Sequence, residues 1–291
     1  MDASTSPEGA PPKRSTCDTT KPFEEPVPIG GAIDSTSSND SAPSLTDDEL
    51  RMVFGRVTPG GSSLDGTILE TTRGSIDEDF GPPRELTEVN DADRKSFGPT
   101  MTGDGLVLFW NLQKNQGTGI LSSVILTARR ASLEGKFSAP EPYRSDAAGI
   151  THAFGAHVSH DGSELFFSAY DSSTKLQRLV RSERGNLGLY GPPMRMSELD
   201  ADANDTSAAL SADGLLLLFA SDRGEIGQNE IWSARRATRK APFEDIEKVT
   251  VLSSTEADRA GWLSVDGCRF YMTRTNPSTN RGTIYIATRP P

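Results

Sequence analysis

One motif recurs five times along the chain, and it limits what the chain can become. An apolar residue precedes an Asp-Gly turn, and an apolar run follows it: LTDDELRMVF (45–54), MTGDGLVLFW (101–110), VSHDGSELFF (158–167), LSADGLLLLF (210–219) and LSVDGCRFYM (263–272). The turn aspartates Asp48, Asp104, Asp161, Asp213 and Asp266 stand 52 to 57 residues apart. Asp-Gly between apolar runs marks a tight hairpin, because both residues tolerate the positive φ that such turns require. Only the first copy lacks the glycine, carrying Glu49 instead.

Two further motifs keep the same period. A strand pattern ending in Arg follows each hairpin: TILETTR (67–73), VILTARR (124–130), LVRSER (179–184), IWSARR (231–236) and IYIATR (284–289). Its arginines are read in one register as Arg73, Arg129, Arg184, Arg235 and Arg289. An aromatic residue then opens a short outer strand at Phe23, Phe80, Phe137, Tyr190 and Phe243, commonly followed by proline, which suits a sheet edge. Each unit thus carries four strands, and four-stranded units repeated around an axis are propeller blades. The last copy has no outer strand after it, whereas the chain begins with an unpaired one, KPFEEPVPIGG (21–31). That strand is expected to complete the C-terminal blade and seal a ring of five, leaving no open edge. The predicted fold is all-β, a five-bladed β-propeller over 22–291 behind a disordered tail over 1–21, whose Ser, Thr and Pro cannot build a core.

The best copy, LSADGLLLLFASDRGEIGQNEIWSARR (210–236), resembles the WD40-like propeller repeats of TolB-like proteins, in which S-x-D-G, S-D-R and I-Y-x-x-x-R elements follow one another. Copies one to three lack S-D-R. The resemblance covers about residues 22 to 291 and implies a bacterial, exported binding protein, periplasmic or at the cell surface. A lipid anchor lost with the native N-terminus is part of that expectation.

In such a blade the strand before the turn lines the axial channel. Counting back from each turn Asp, the fifth and sixth residues are small (Pro43, Pro99, Ala156, Ala208, Gly261; Ala42, Gly98, Gly155, Ser207, Ala260), as a crowded centre demands. The seventh are Ser41, Phe97, Phe154, Thr206 and Arg259; the eighth are Asp40, Ser96, Ala153, Asp205 and Asp258. Three acids at one level invite a ligand-binding or catalytic mouth, since gathered carboxylates raise one another's pKa and attract cations or sugar hydroxyls. The plainer reading is that they cap the turn entering the strand. Phe97, Phe154 and Trp262 break the repeat, either filling the channel or forming a stacking platform.

All three histidines lie in HAFGAHVSH (152–160). Side chains on a strand alternate faces, so His157 opposes the other two, and His152 and His160 stand about 26 Å apart. No metal site is expected, although His152 remains a candidate at the mouth beside Asp205 and Asp258. Cys17 and Cys268 map to the same blade, which points to a bridge stapling the ring; two separate thiols are the alternative. A bridge implies an oxidising compartment.

A net charge of −11 argues against nucleic acid. The longest apolar run, Leu215 to Ala220, is six residues, far short of a spanning helix. No nucleophile elbow, phosphate loop or dinucleotide fingerprint is present, and no cofactor is expected. The chain is read as a non-enzymatic binding or scaffold module for a protein or glycan, the alternative being a glycoside hydrolase or lyase using Asp40, Asp205 and Asp258.

Overall fold

The computed structural model describes residues 17–33, 39–57, 66–90, 95–115, 121–143, 152–186, 188–224 and 227–291. After the short strand β1 (Val27–Pro28), five four-stranded antiparallel sheets follow one another. The first four are β2 (Asn39–Leu45), β3 (Arg51–Val57), β4 (Gly66–Thr72), β5 (Arg84–Glu85); β6 (Ser96–Met101), β7 (Val107–Asn115), β8 (Leu121–Arg129), β9 (Glu141–Pro142); β10 (Ala153–Val158), β11 (Glu164–Asp171), β12 (Leu176–Glu183), β13 (Met194–Arg195); and β14 (Asp205–Leu210), β15 (Leu216–Ser221), β16 (Glu230–Arg235), β17 (Glu244–Lys248). The fifth joins β18 (Ala257–Leu263), β19 (Arg269–Asn276) and β20 (Arg281–Thr288) to β1. Each inner strand packs against those of its two neighbours, with β18 meeting β2, so the five sheets form a closed β-propeller.

The two chain ends close the ring together. Val27 faces Ile286 and Pro28 faces Tyr285 across an antiparallel pair. Glu24 N–H donates to Thr288 O at 2.8 Å, and Phe23 packs on Phe270 with ring centroids 6.0 Å apart. The tail expected over 1–21 lies outside the described residues as far as 16. Residues 17–21 are engaged: Cys17 is disulfide-bonded to Cys268, and Asp18 N–H donates to Pro290 O at 2.9 Å.

The turn motif works the same way in every blade. A Ser or Thr two residues before the Asp donates its hydroxyl to the carboxylate, which also accepts the backbone N–H two residues on; Thr102 Oγ1, Asp104 and Leu106 N are one example, at 2.5 and 2.9 Å. The residue after the Asp is left-handed in all five copies, at φ 61° for Glu49 and 67–78° for the glycines. Glycine takes that conformation without strain, so Glu49 must have another reason to be there. Its carboxylate lies buried between the first and fifth blades, accepting two 2.7 Å bonds from Arg269 and one from the Tyr271 hydroxyl at 3.0 Å.

The strand-ending arginines differ from the expected register at two positions. The equivalent residues are Arg73, Arg130, Arg184, Arg236 and Arg289, each immediately beyond its strand, not Arg129 or Arg235. In four blades the guanidinium lies over the outer aromatic ring at 4.0–4.6 Å and donates through Nε to the left-handed turn residue's carbonyl, as Arg130 does to Gly105 O at 2.7 Å. In the third blade the outer ring is a tyrosine, and Tyr190 Oη itself donates to the equivalent Gly162 O at 2.7 Å. The doublets Arg129-Arg130 and Arg235-Arg236 conceal the choice, which burial settles: the first of each pair is exposed and the second buried.

Candidate functional site

The five inner strands divide the channel into an open end and a closed end. Each strand carries a bulge just past the seventh residue before the turn, and in the first four blades the sixth is left-handed (Ala42, Gly98, Gly155 and Ser207). The bulge turns the strand inward, so small residues meet at a throat. There a side chain on Gly261 would strike Pro43 and the Tyr271 carbonyl at 2.8 Å.

Below the throat the channel is sealed. Backbone N–H groups of one blade donate to side chains of the preceding blade, four residues before the turn: Met101 N to Ser44 Oγ at 3.0 Å, Val158 N to Thr100 Oγ1 at 3.2 Å, and Leu210 N to His157 Nε2 at 3.0 Å. Because Nε2 accepts, His157 carries its proton on Nδ1, facing the Gly261 carbonyl. Burial, with His160 nearby, pushes the His157 imidazole down to about 3. Trp262 occupies the equivalent level in the fifth blade, 2% exposed and packed on His160 at 5.1 Å and Tyr271 at 5.8 Å. His160 bonds Asp47 and the Leu263 carbonyl. Trp262 is therefore packed at the closed end, apart from Phe97 and Phe154.

Above the throat lies a cavity of about 540 Å³. The ring of seventh residues, Ser41, Phe97, Phe154, Thr206 and Arg259, forms its waist, and Ser168, Gln177, Asn204, Asp222 and Asn229 belong to its wall. Phe97 and Phe154, from adjacent blades, stand 6.3 Å apart with planes inclined at 33°. Arg259 projects from the fifth blade, which is adjacent to neither of the blades carrying those phenylalanines. Arg259 is exposed, and its guanidinium makes no hydrogen bond or ion pair among the described residues.

The three aspartates point elsewhere. Asp40, Asp205 and Asp258 are at most 2% exposed and absent from the cavity wall, because adjacent strand residues face opposite sides. Each is paired within its own blade: Asp40 takes two bonds from Arg56 at 2.7 and 2.8 Å, Asp205 one from Arg223 at 2.6 Å, and Asp258 one from Arg274 at 2.8 Å. Asp258 also caps Ser254, accepting from its N–H and hydroxyl. Burial raises the Asp205 and Asp258 carboxyls while their arginines pull the other way. His152 stacks edge-on against Tyr170 at 6.0 Å and is also outside the cavity wall. The three histidines thus sit at three levels, and no metal-binding cluster occurs among the described residues.

Gln177, Asn204, Asp222 and Asn229 escape a reading of inner strands because they come from loops and the strands behind. The S-D-R element was the available signal. Arg223 of that element holds Asp205, and Asp222 accepts Asn204 N and Nδ2 at 2.7 and 2.8 Å, fixing the cavity rim.

No family model matches the chain, and no curated protein does. Solved structures do match. A putative TolB from Agrobacterium tumefaciens superposes with TM-score 0.52 and 15% identity, covering 88% of this chain and 78% of that one. The catalytic domain of Coprinopsis cinerea GH62 α-L-arabinofuranosidase gives TM-score 0.58 and 13% identity over 93% and 98% of the two chains. The α-L-arabinofuranosidase from Lactobacillus brevis gives 0.60 and 10% over 90% and 94%. The protein is a TolB-like five-bladed β-propeller in fold. At these identities the likeness extends to architecture, which propellers lend to binding proteins and enzymes alike.

Proposed function

We propose that the protein is a binding module, and that the open-end cavity holds a segment of its protein or glycan partner. The observation that carries this reading is the lining: Arg259, a cation with no partner among the described residues, stands across from two aromatic rings in a pocket of a size typical for small ligands. A glycoside hydrolase needs two carboxyl groups facing one substrate, about 5–9.5 Å apart. Among the described residues Asp222 is the one carboxylate in the wall, and it is engaged by Asn204. No helix among the described residues is long and apolar enough to span a membrane. The Cys17–Cys268 bond suits an oxidising compartment such as the periplasm or cell surface.

Thermal-shift screening of sugars, peptides and divalent ions on wild type and on Thr206→Trp tests the proposal. Thr206 occupies the level where two other blades carry Phe, so the variant fills the cavity without asking the strand for anything new. A ligand that stabilises wild type and not the variant supports the reading; equal stabilisation of both moves the site elsewhere. The hydrolase reading, favoured by the arabinofuranosidase folds among the similar structures, is tested by turnover of an aryl arabinofuranoside. Turnover abolished by Asp222→Asn would replace the binding reading with that one.

A further inference from the structure

Among the described residues the cavity wall holds one cation, Arg259, and one carboxylate, Asp222, which Asn204 already engages, and this narrows its ligand. The buried arginines reach carboxylates: Arg269 reaches Glu49, Arg130 reaches Glu70 and Arg236 reaches Glu164. Arg56, Arg223 and Arg274 hold the three inner-strand aspartates. Arg259 is exposed into the cavity and has no such partner among the described residues. A guanidinium facing the cavity without a partner among the described residues can pair an incoming carboxylate through charge-assisted hydrogen bonds.

The side-chain amides of Gln177 and Asn229, in the wall, make no hydrogen bond among the described residues. Together they offer donors and acceptors to a polar chain, while the inclined Phe97–Phe154 pair offers an apolar corner opposite the cation. Trp262, His157 and His160 are buried at the far end, so among the described residues the cavity is closed there. A blind pocket admits the end of a chain more readily than its middle. A net charge of −11 repels polyanions at long range yet leaves a single carboxylate free to enter.

Building on the proposed binding role of the cavity, we infer that it recognises the C-terminal carboxylate of a peptide ending in an apolar residue, with Arg259 pairing the carboxylate and Phe97 and Phe154 receiving the last side chain. The peptide amides then meet Gln177 and Asn229.

Calorimetric titration of the full chain with acetyl-Gly-Phe as the free acid and as the C-terminal amide tests this. The acid is expected to bind wild type at least about tenfold more tightly than the amide, the scale of one charge-assisted hydrogen-bonded pair. Arg259→Gln should bring the acid down to the level of the amide, with an unchanged melting temperature showing that the variant is folded, and Arg259→Lys should restore part of the difference. Thr206→Trp should abolish both. Equal binding of acid and amide, lost in Thr206→Trp, overturns carboxylate recognition and leaves the cavity as the binding site. Acid binding that survives Thr206→Trp overturns both. No binding of either peptide at millimolar concentration overturns the peptide assignment, and Arg259-dependent binding of glucuronic acid in its place would make the ligand an acidic sugar.

Discussion

The two ends of the channel are built from the same five strands, three residues apart on each, and they obey different rules. Toward the closed end the blades repeat one another. A hydroxyl-capped Asp turn, a left-handed residue after it and an arginine laid over an outer aromatic solve the same problem in nearly every copy. Where a copy departs, the departure still serves the ring, as Glu49 does by joining the first blade to the fifth, or Tyr190 by taking over the bond to the turn carbonyl. At the open end Ser41, Phe97, Phe154, Thr206 and Arg259 answer no shared structural need, and Arg259 has no partner among the described residues. Repetition marks what the fold requires, and its breakdown at one level marks where the molecule has been shaped for something else.

The largest way to strain this contrast is to open the ring. Cys17 and Cys268 are 251 residues apart, so Cys17→Ser frees a long loop in the unfolded chain and should cost about 5.5 kcal/mol in the entropy model. Urea denaturation under non-reducing conditions measures it, and a loss below ~1 kcal/mol would mean that β1 and Phe23 close the ring unaided.

Neighbouring residues Asp258 and Arg259 sharpen the comparison further. Asp258→Ala strands Arg274 and uncaps Ser254, and should destabilise by about 3 kcal/mol. Arg259→Gln should leave stability within about 0.5 kcal/mol, as for a side chain that holds nothing together. Similar losses from both would erase the distinction between the two faces of β18.

Acid provides a third test, directed at the closed end. The folded His157 imidazole titrates at about 3, whereas the unfolded chain takes up that proton below about pH 6.5. Stability from this group is fully present above ~6.5 and falls by up to about 1.4 kcal/mol per pH unit as pH drops toward 3. Denaturation at pH 6.5 and 5.5 should show the slope, and His157→Gln should flatten it. The smallest effect is expected at the arginine doublets: Arg129→Ala should lie within ~0.5 kcal/mol of wild type. Arg130→Ala should be clearly destabilised, because it removes the guanidinium from Glu70, Gly105 O and Phe137.

Much of this organisation is legible in the sequence, for a physical reason. Repeats expose themselves by comparison, so the blade count, the orphan outer strand and the levels of the inner strands can be counted from the turn aspartates. What cannot be counted is the direction of a side chain beyond a bulge, or the identity of a partner on another strand. Asp40, Asp205 and Asp258 align at one level and suggest an acidic mouth, but Arg56, Arg223 and Arg274, on or just beyond the neighbouring strands, neutralise them away from it. The doublets at 129–130 and 235–236 hide which arginine is buried. The isolation of Arg259 is a statement about what surrounds it, and no linear pattern carries that.

A crystal structure of the protein with acetyl-Gly-Phe free acid tests the central claim most directly. The account expects the peptide in the open-end cavity, its carboxylate about 2.8 Å from the Arg259 guanidinium and its ring against Phe97 and Phe154. Density confined to an outer groove between blades, with the cavity empty at a saturating concentration, would contradict it.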